Sequence, residues 1–265
     1  MTLLVALEPG ETGEILLASA RMLAHAGGWD VRVVHVGEKA GGPVLALPAR
    51  LATNTEVREL SGDPVTVLLE QSRAGDVTML AFNLRSATPG EGVGRVADAL
   101  LRGAERPLLV MRPGVNPVGA LKRILVPLSG SPSTSAAMRF AEEHFCERGR
   151  EIVVLHVATA DRESEPGSMT APRIVDQEQY EWSDWHEEFG MRFAACPEGG
   201  RHRTVIKAGV PAEVIVAEAT ARKVDLLVLT WTPEPAAGPS TQVKDLIEHA
   251  PCPLLLVPAA TAMPL

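Results

Sequence analysis

The chain repeats itself, and this constrains its fold more than any other feature. Leu4-Val5-Ala6-Leu7, a helical stretch and Val31-Arg32-Val33-Val34-His35-Val36 return without a gap as Leu125-Val126-Pro127-Leu128, a helical stretch and Ile152-Val153-Val154-Leu155-His156-Val157. Ser61-Gly62-Asp63-Pro64 and Asp76-Val77-Thr78-Met79-Leu80 return as Ala208-Gly209-Val210-Pro211 and Asp225-Leu226-Leu227-Val228-Leu229. Gly103-Ala104-Glu105-Arg106-Pro107-Leu108-Leu109-Val110 returns as His249-Ala250-Pro251-Cys252-Pro253-Leu254-Leu255-Leu256-Val257. Three blocks in one order indicate a tandem duplication. A length of 265 residues accommodates one or two domains.

The strands are short continuous apolar runs, the pattern of strands covered on both faces of a parallel sheet. Between them lie amphipathic stretches such as Ile15, Leu16, Ser19, Met22 and Leu23, and Val214, Ile215, Ala217, Glu218 and Ala221, spaced for one helical face. Gly62 and Gly209 supply turns, and Pro64 and Pro211 follow where a helix can begin without the missing N–H. Right-handed crossovers then predict an α/β protein of two tandem, open, twisted, mainly parallel five-stranded sheets, Rossmann-like, with helices on both faces. The binding crevices of such sheets lie at the C-terminal ends of the strands. The Pro/Gly-rich stretch Arg112-Pro113-Gly114-Val115-Asn116-Pro117-Val118-Gly119 sets the boundary, giving domains 1–113 and 121–265 and a linker at 114–120.

The second repeat carries an insertion over about 158–200. Within it, a helix over about 172–195 places Val175, Trp182, Trp185, Phe189 and Phe193 mostly on one stripe. Most of the net charge of −8 falls in this insertion, so the remainder is close to neutral. The aromatic stripe is expected to pack within the protein or against a partner protein. An acidic balance with no Lys/Arg cluster argues against a nucleic-acid partner. Three cysteines without a CxxC pair support neither a disulfide framework nor a zinc site. The start of the chain lacks the features of a secretory leader, and no apolar stretch is long enough to span a membrane, so a cytoplasmic location is expected.

The ordered blocks resemble the universal stress protein family in its tandem form, over nearly the whole chain. Arg123-Ile124-Leu125-Val126-Pro127-Leu128-Ser129-Gly130-Ser131 resembles the family's opening strand, and Val153-Val154-Leu155-His156-Val157 its second strand. Gly209-Val210-Pro211 resembles its helix entry, and His249 to Pro258 its closing block. The resemblance implies a fold of the adenine nucleotide alpha hydrolase type. It also implies an internal pseudo-dimer, with Pro107–Val110 and Pro253–Val257 as the candidate pairing edges, and allows a homodimer.

Nucleotide-binding members carry an acidic residue after the first strand and a Gly-x-x-Gly loop, followed by Gly-Ser/Thr, after the fourth. Glycines let backbone N–H groups reach phosphates, and a helix N-terminus favours their charge. In the first repeat Ala81-Phe82-Asn83-Leu84 fills the first slot and Gly94-Arg95 the second. In the second repeat Thr230-Trp231-Thr232-Pro233 and Thr241-Gln242 fill them, and no motif glycine remains. Losing two backbone–phosphate bonds costs roughly 3 kcal/mol, about a hundredfold in affinity. The resemblance therefore implies a first site of Glu8, Val36, Ala81, Gly94, Arg95 and Val96, a weaker second one of Ser129 and Val157, and ATP as the cofactor in question. Gly92, Gly94 and Pro89 also read simply as a loop before a helix.

The other constellations are structural. His35 and His156 occupy equivalent places in apolar strands, which fits a duplicated structural role. Ser131 with Pro132 reads as a helix entry, and Cys252 as a small buried residue. The expected function is a non-enzymatic stress-response binding or regulatory module with degenerate ATP loops. Two alternatives stand: nucleotide binding with slow hydrolysis in the first repeat, and an interaction protein whose acidic, aromatic insertion docks a basic partner.

Overall fold

A computed structural model describes residues 1–8, 11–37, 55–84, 93–129, 135–158, 201–232 and 240–259. The insertion, the Ser131–Pro132 helix entry, Pro233 and the Gly92 and Pro89 loop positions lie outside the described residues. The first half runs β1 (Thr2–Ala6), α1 (Glu11–Gly27), β2 (Asp30–Gly37), β3 (Thr55–Ser61), α2 (Pro64–Ser72), β4 (Val77–Asn83), α3 (Arg95–Gly103) and β5 (Leu108–Met111). The second runs β6 (Arg123–Pro127), α4 (Ser135–Phe145), β7 (Glu151–Ala158), β8 (Arg201–Ala208), α5 (Pro211–Arg222), β9 (Leu226–Trp231), α6 (Thr241–His249) and β10 (Leu254–Pro258).

The expectation of two separate sheets is corrected. The strands form one ten-stranded sheet, in the order β3-β2-β1-β4-β5-β10-β9-β6-β7-β8. Each half keeps its own parallel order, and one antiparallel pairing joins them: Leu254 opposite Val110, Leu255 opposite Leu109 and Leu256 opposite Leu108. The reason lies in the two closing strands. Both are wholly apolar and buried, and an apolar edge with unpaired N–H and C=O groups is stable only when something pairs with it. Each half supplies the other's missing neighbour.

Helices cover both faces. On one, α1 and α4 pack over Leu3, Val5, Ile124 and Val126. On the other, α2, α3, α5 and α6 pack over Leu4, Leu80, Leu125 and Leu227. Contacts across the join are specific. Trp29, just after α1, sits edge-on to His144 at 5.0 Å and near Phe140 at 6.1 Å, both on α4. Burial lowers the pKa of His144, so the ring is neutral in this aromatic cluster. The 114–120 segment is tied down by Val118 N–H, which donates to the buried Ser19 hydroxyl at 3.0 Å.

Gly62 and Gly209 hold equivalent positive φ angles, 135° and 143°, just before α2 and α5. A Cβ on Gly209 would also lie 2.9 Å from the Val214 side chain, so the turn needs glycine for both reasons.

Cys146, directly after α4, is disulfide-bonded, where the sequence supported no disulfide. Cys252 is free and buried, and burial, with Asp225 adding to it, pushes its thiol up to about 12. It is therefore an inert core residue. Among the described residues no helix is long and apolar enough to cross a membrane.

Candidate functional site

A cavity of about 490 Å³ opens in the first half. It lies at the C-terminal strand ends, where open α/β sheets bind ligands. Its volume is within the range of small-molecule sites. Ala6, Leu7 and Glu8 from the end of β1 and Val34, His35 and Val36 from β2 form one side. Phe82 and Asn83 from β4, Leu68 from α2 and Val93 to Ala97 at the start of α3 form the other.

Each side chain is held by local structure. Leu7 N–H donates to Val34 C=O at 2.9 Å, and His35 Nδ1 lies 2.9 Å from Leu7 C=O. A carbonyl only accepts, so Nδ1 carries the proton. The first turn of α1 runs close against Glu8: a Cβ on Gly13 would collide with the Glu8 carbonyl oxygen. Asn83 donates from its amide to Thr12 C=O at 2.8 Å, fixing the end of β4 to α1.

Gly94, at φ 84°, turns the chain into α3 with no side-chain cap. Arg95 opens that helix and meets Asp63 at 3.4 Å. Asp63 is itself the N-cap of α2, accepting from Thr66 N–H and Thr66 Oγ1, both at 3.1 Å. The Thr66 backbone bond first, then the Thr66 hydroxyl and Arg95, hold its carboxyl below the usual aspartate value. The carboxylate is therefore ionised at neutral pH.

The structure brings Glu8, Val36, Gly94, Arg95 and Val96 together around this cavity. Ala81 is the exception among the predicted first-site residues. It is fully buried in the core on the α1 face of β4, while Phe82 and Asn83 line the cavity in its stead. Sequence reasoning placed Phe82 and Asn83 only as members of the motif slot, and it missed His35, which lines the cavity, and Asp63, which does not line it but pairs with Arg95. For Asp63 a signal was present, since an Asp between Gly62 and Pro64 is an N-cap pattern.

The sheet register corrects the second-half assignment. Leu80 pairs beside Leu4 as Leu227 pairs beside Leu125, so Asn83 corresponds to Thr230, and Leu84 to Trp231. Thr230 Oγ1 accepts from Ala137 N–H at 2.9 Å, anchoring β9 to α4 as Asn83 anchors β4 to α1. Trp231 ends β9 rather than standing in a loop. It is 2% exposed, and its indole N–H donates across the join to Leu101 C=O at 3.2 Å. The N-cap of α6 is Ser240, so Ser240, not Thr241, corresponds to Gly94.

His156 Nδ1 lies 3.0 Å from Leu128 C=O, repeating the His35 bond. The charged groups are not repeated. Ser129 stands at the position of Glu8, Val210 at that of Asp63 and Thr241 at that of Arg95. Val157 packs beside the core on the α5 face of the sheet. Among the described residues no cluster of three or more His, Cys, Asp or Glu is placed to hold a metal.

An open parallel α/β unit, doubled, with its crevice at the carboxyl ends of strands one, two and four, defines a Rossmann-like class of fold. The sequence model of the universal stress protein family matches residues 120–258, and the chain belongs to that family. It is similar in structure to a universal stress protein from Archaeoglobus fulgidus DSM 4304, with a TM-score of 0.70 and 16% identity over 97% of this chain and 98% of that one. It is also similar to a functionally unknown protein from Pseudomonas aeruginosa PAO1, with a TM-score of 0.68 and 14% identity over 97% of this chain and 92% of that one. No curated protein matches the chain. At these identities the likeness is one of fold.

Proposed function

We propose that this protein is a non-enzymatic binding module of the universal stress protein family, whose first half takes a small nucleotide-type ligand and whose second half is scaffold. The observation that supports this most is the coincidence of the 490 Å³ cavity with Glu8, Val36, Gly94, Arg95 and Val96, the residues that the family resemblance implies for a first site. The walls from Val34, Val36, Leu68 and Phe82 suit a planar apolar base, and the Glu8 carboxylate suits ribose hydroxyls. The polar groups around the cavity are committed to architecture: His35 to Leu7, Asn83 to Thr12 and Arg95 to Asp63. Bonds of this kind hold the side chains in place around the cavity, which supports a role in recognition.

The test is calorimetry and thermal melting of the dialysed chain with adenosine, AMP and ATP, the last also with Mg²⁺. A ligand at a hundred times its Kd raises stability by about 2.7 kcal/mol. At least one of the three is expected to produce such a shift without turnover. No shift with any of them at millimolar concentration contradicts the reading, and steady release of product contradicts its non-enzymatic part.

A further inference from the structure

We propose that Trp231, in the second half, is a positioning residue for the first-half cavity: it fixes the tail of α3, whose head forms one wall of that cavity, so ligand affinity in one half depends on a residue of the other. This rests on the nucleotide reading of the cavity and adds a control to the same site.

Helix α3 is nine residues long, so its two ends are mechanically close. Val93 to Ala97 line the cavity at its head, and Leu101 lies about one turn beyond Ala97 on the same face. At the tail Ala104 N–H closes the last bond of the helix, to Leu100 C=O at 2.9 Å, and the Ala104 backbone is extended. The next carbonyl, that of Leu101, therefore needs a partner from outside the helix. Trp231 supplies it, its indole N–H donating to Leu101 C=O at 3.2 Å. The donor is itself fixed. Trp231 is buried and stands beside Pro258 in the β9–β10 pairing, and its neighbour Thr230 accepts from Ala137 N–H at 2.9 Å.

The head of α3 has weaker holds of its own. Gly94 gives no side-chain cap, and the Arg95–Asp63 pair, at 3.4 Å with both side chains largely in water, contributes little. Ala97, Leu100 and Leu101 are buried against the core, but apolar burial is non-directional and does not set how far along its axis a short helix sits. A hydrogen bond from an immobile donor is directional and does. Losing it also leaves a carbonyl unpaired in the core, which favours a displaced tail. Displacing the tail displaces Val96 and Ala97, since a single hydrogen-bonded turn joins them to it. The first half returns the tie: Arg112 Nη2 donates to Ala250 C=O, at the tail of α6, at 3.1 Å. Each closing helix is thus held at its tail by a donor from the other half.

The experiment titrates adenosine, AMP and ATP into the full chain by calorimetry, for the native protein, Trp231→Phe and Trp29→Phe. Trp231→Phe keeps an aromatic ring and removes the donor. Trp29→Phe is the control: it also lies at the join, but in the core on the other face of the sheet from α3, and its indole N–H has no partner among the described residues. Trp231→Phe should weaken each compound that binds the native chain by about three- to thirtyfold, and Trp29→Phe should leave affinity unchanged. By reciprocity, ligand must also tighten the tie. In the native chain, saturating ligand should therefore slow solvent exchange of the Trp231 indole N–H, followed by NMR. That signal is assigned by its loss in Trp231→Phe or, where that variant does not fold, from its contact with Leu101. Affinity unchanged in Trp231→Phe, affinity lowered equally in Trp29→Phe, or indole exchange indifferent to ligand overturns the inference and leaves the nucleotide reading intact. Failure of all three compounds to bind the native chain overturns that reading and the inference with it.

Discussion

At the C-terminal ends of its strands the first half places Glu8, Asp63, Asn83 and Arg95; at the opposite end of the sheet the second half places Ser129, Val210, Thr230 and Thr241 at the equivalent positions. Around these positions several scaffold features are duplicated. His35 and His156 bind the carbonyl after their first strands at 2.9 and 3.0 Å. Gly62 and Gly209 make the same turn, and Pro64 and Pro211 begin the same helix. What differs is charge. Val210, 57% exposed, replaces a capping carboxylate and leaves α5 without a side-chain cap. The comparison teaches that the architecture and the ligand chemistry of this fold are carried by different residues, so one can be lost while the other stays.

The strongest way to break the symmetry is at the join. Trp231→Ala removes a buried indole and orphans the Leu101 carbonyl, and should cost about 3–5 kcal/mol in denaturant unfolding, more than Leu84→Ala at the equivalent place. Equal losses at the two positions would mean that Trp231 does not bind the halves together. Next, Glu8→Ala should weaken ligand about ten- to a hundredfold by removing a charge-assisted acceptor, whereas Ser129→Ala should leave binding alone; titration of both variants decides.

His35→Ala and His156→Ala each lose the bond to the carbonyl after the first strand, which contributes about 1 kcal/mol of stability. The first should also weaken ligand and the second should not, which separates shared scaffold from unshared site.

The smallest effect is one of pH. Hydrogen bonds from Arg32 hold the carboxyls of Glu56 and Asp76 below their usual values, and the pKa of Arg32 is raised. Lowered carboxyl values contribute stability that is present above the ordinary carboxylate range and lost as pH falls through the lowered values. Val153 stands where Arg32 does, so this link belongs to the first half alone. Arg32→Met should flatten the acid side of the stability profile, measured by melting from neutral pH downward.

Much of this was legible in the sequence. The apolar runs give every strand of the closing blocks, and the Gly-x-Pro entries give two helices, because buried parallel strands and helix starts have local signatures. The resemblance named Pro107–Val110 and Pro253–Val257 as candidate pairing edges, and Leu108–Val110 does pair with Leu254–Leu256, but neither apolar run alone dictates that the two edges meet in one continuous sheet. Counting residues placed Thr230 opposite Ala81, two positions from its true counterpart. β4 carries a bulge near Thr2 and Leu3 and has seven residues against six in β9, and irregularities of that kind leave no mark in spacing. Arg95 was found from a motif slot, while Asp63, which holds it, comes from another helix and emerges only when α2 and α3 pack side by side.

The most direct test of a scaffold copied twice with a site kept once is the stoichiometry of binding. Calorimetric titration with AMP should give one site per chain, abolished by Glu8→Ala and untouched by Ser129→Ala. Two sites per chain, or one site lost in Ser129→Ala and kept in Glu8→Ala, would contradict it.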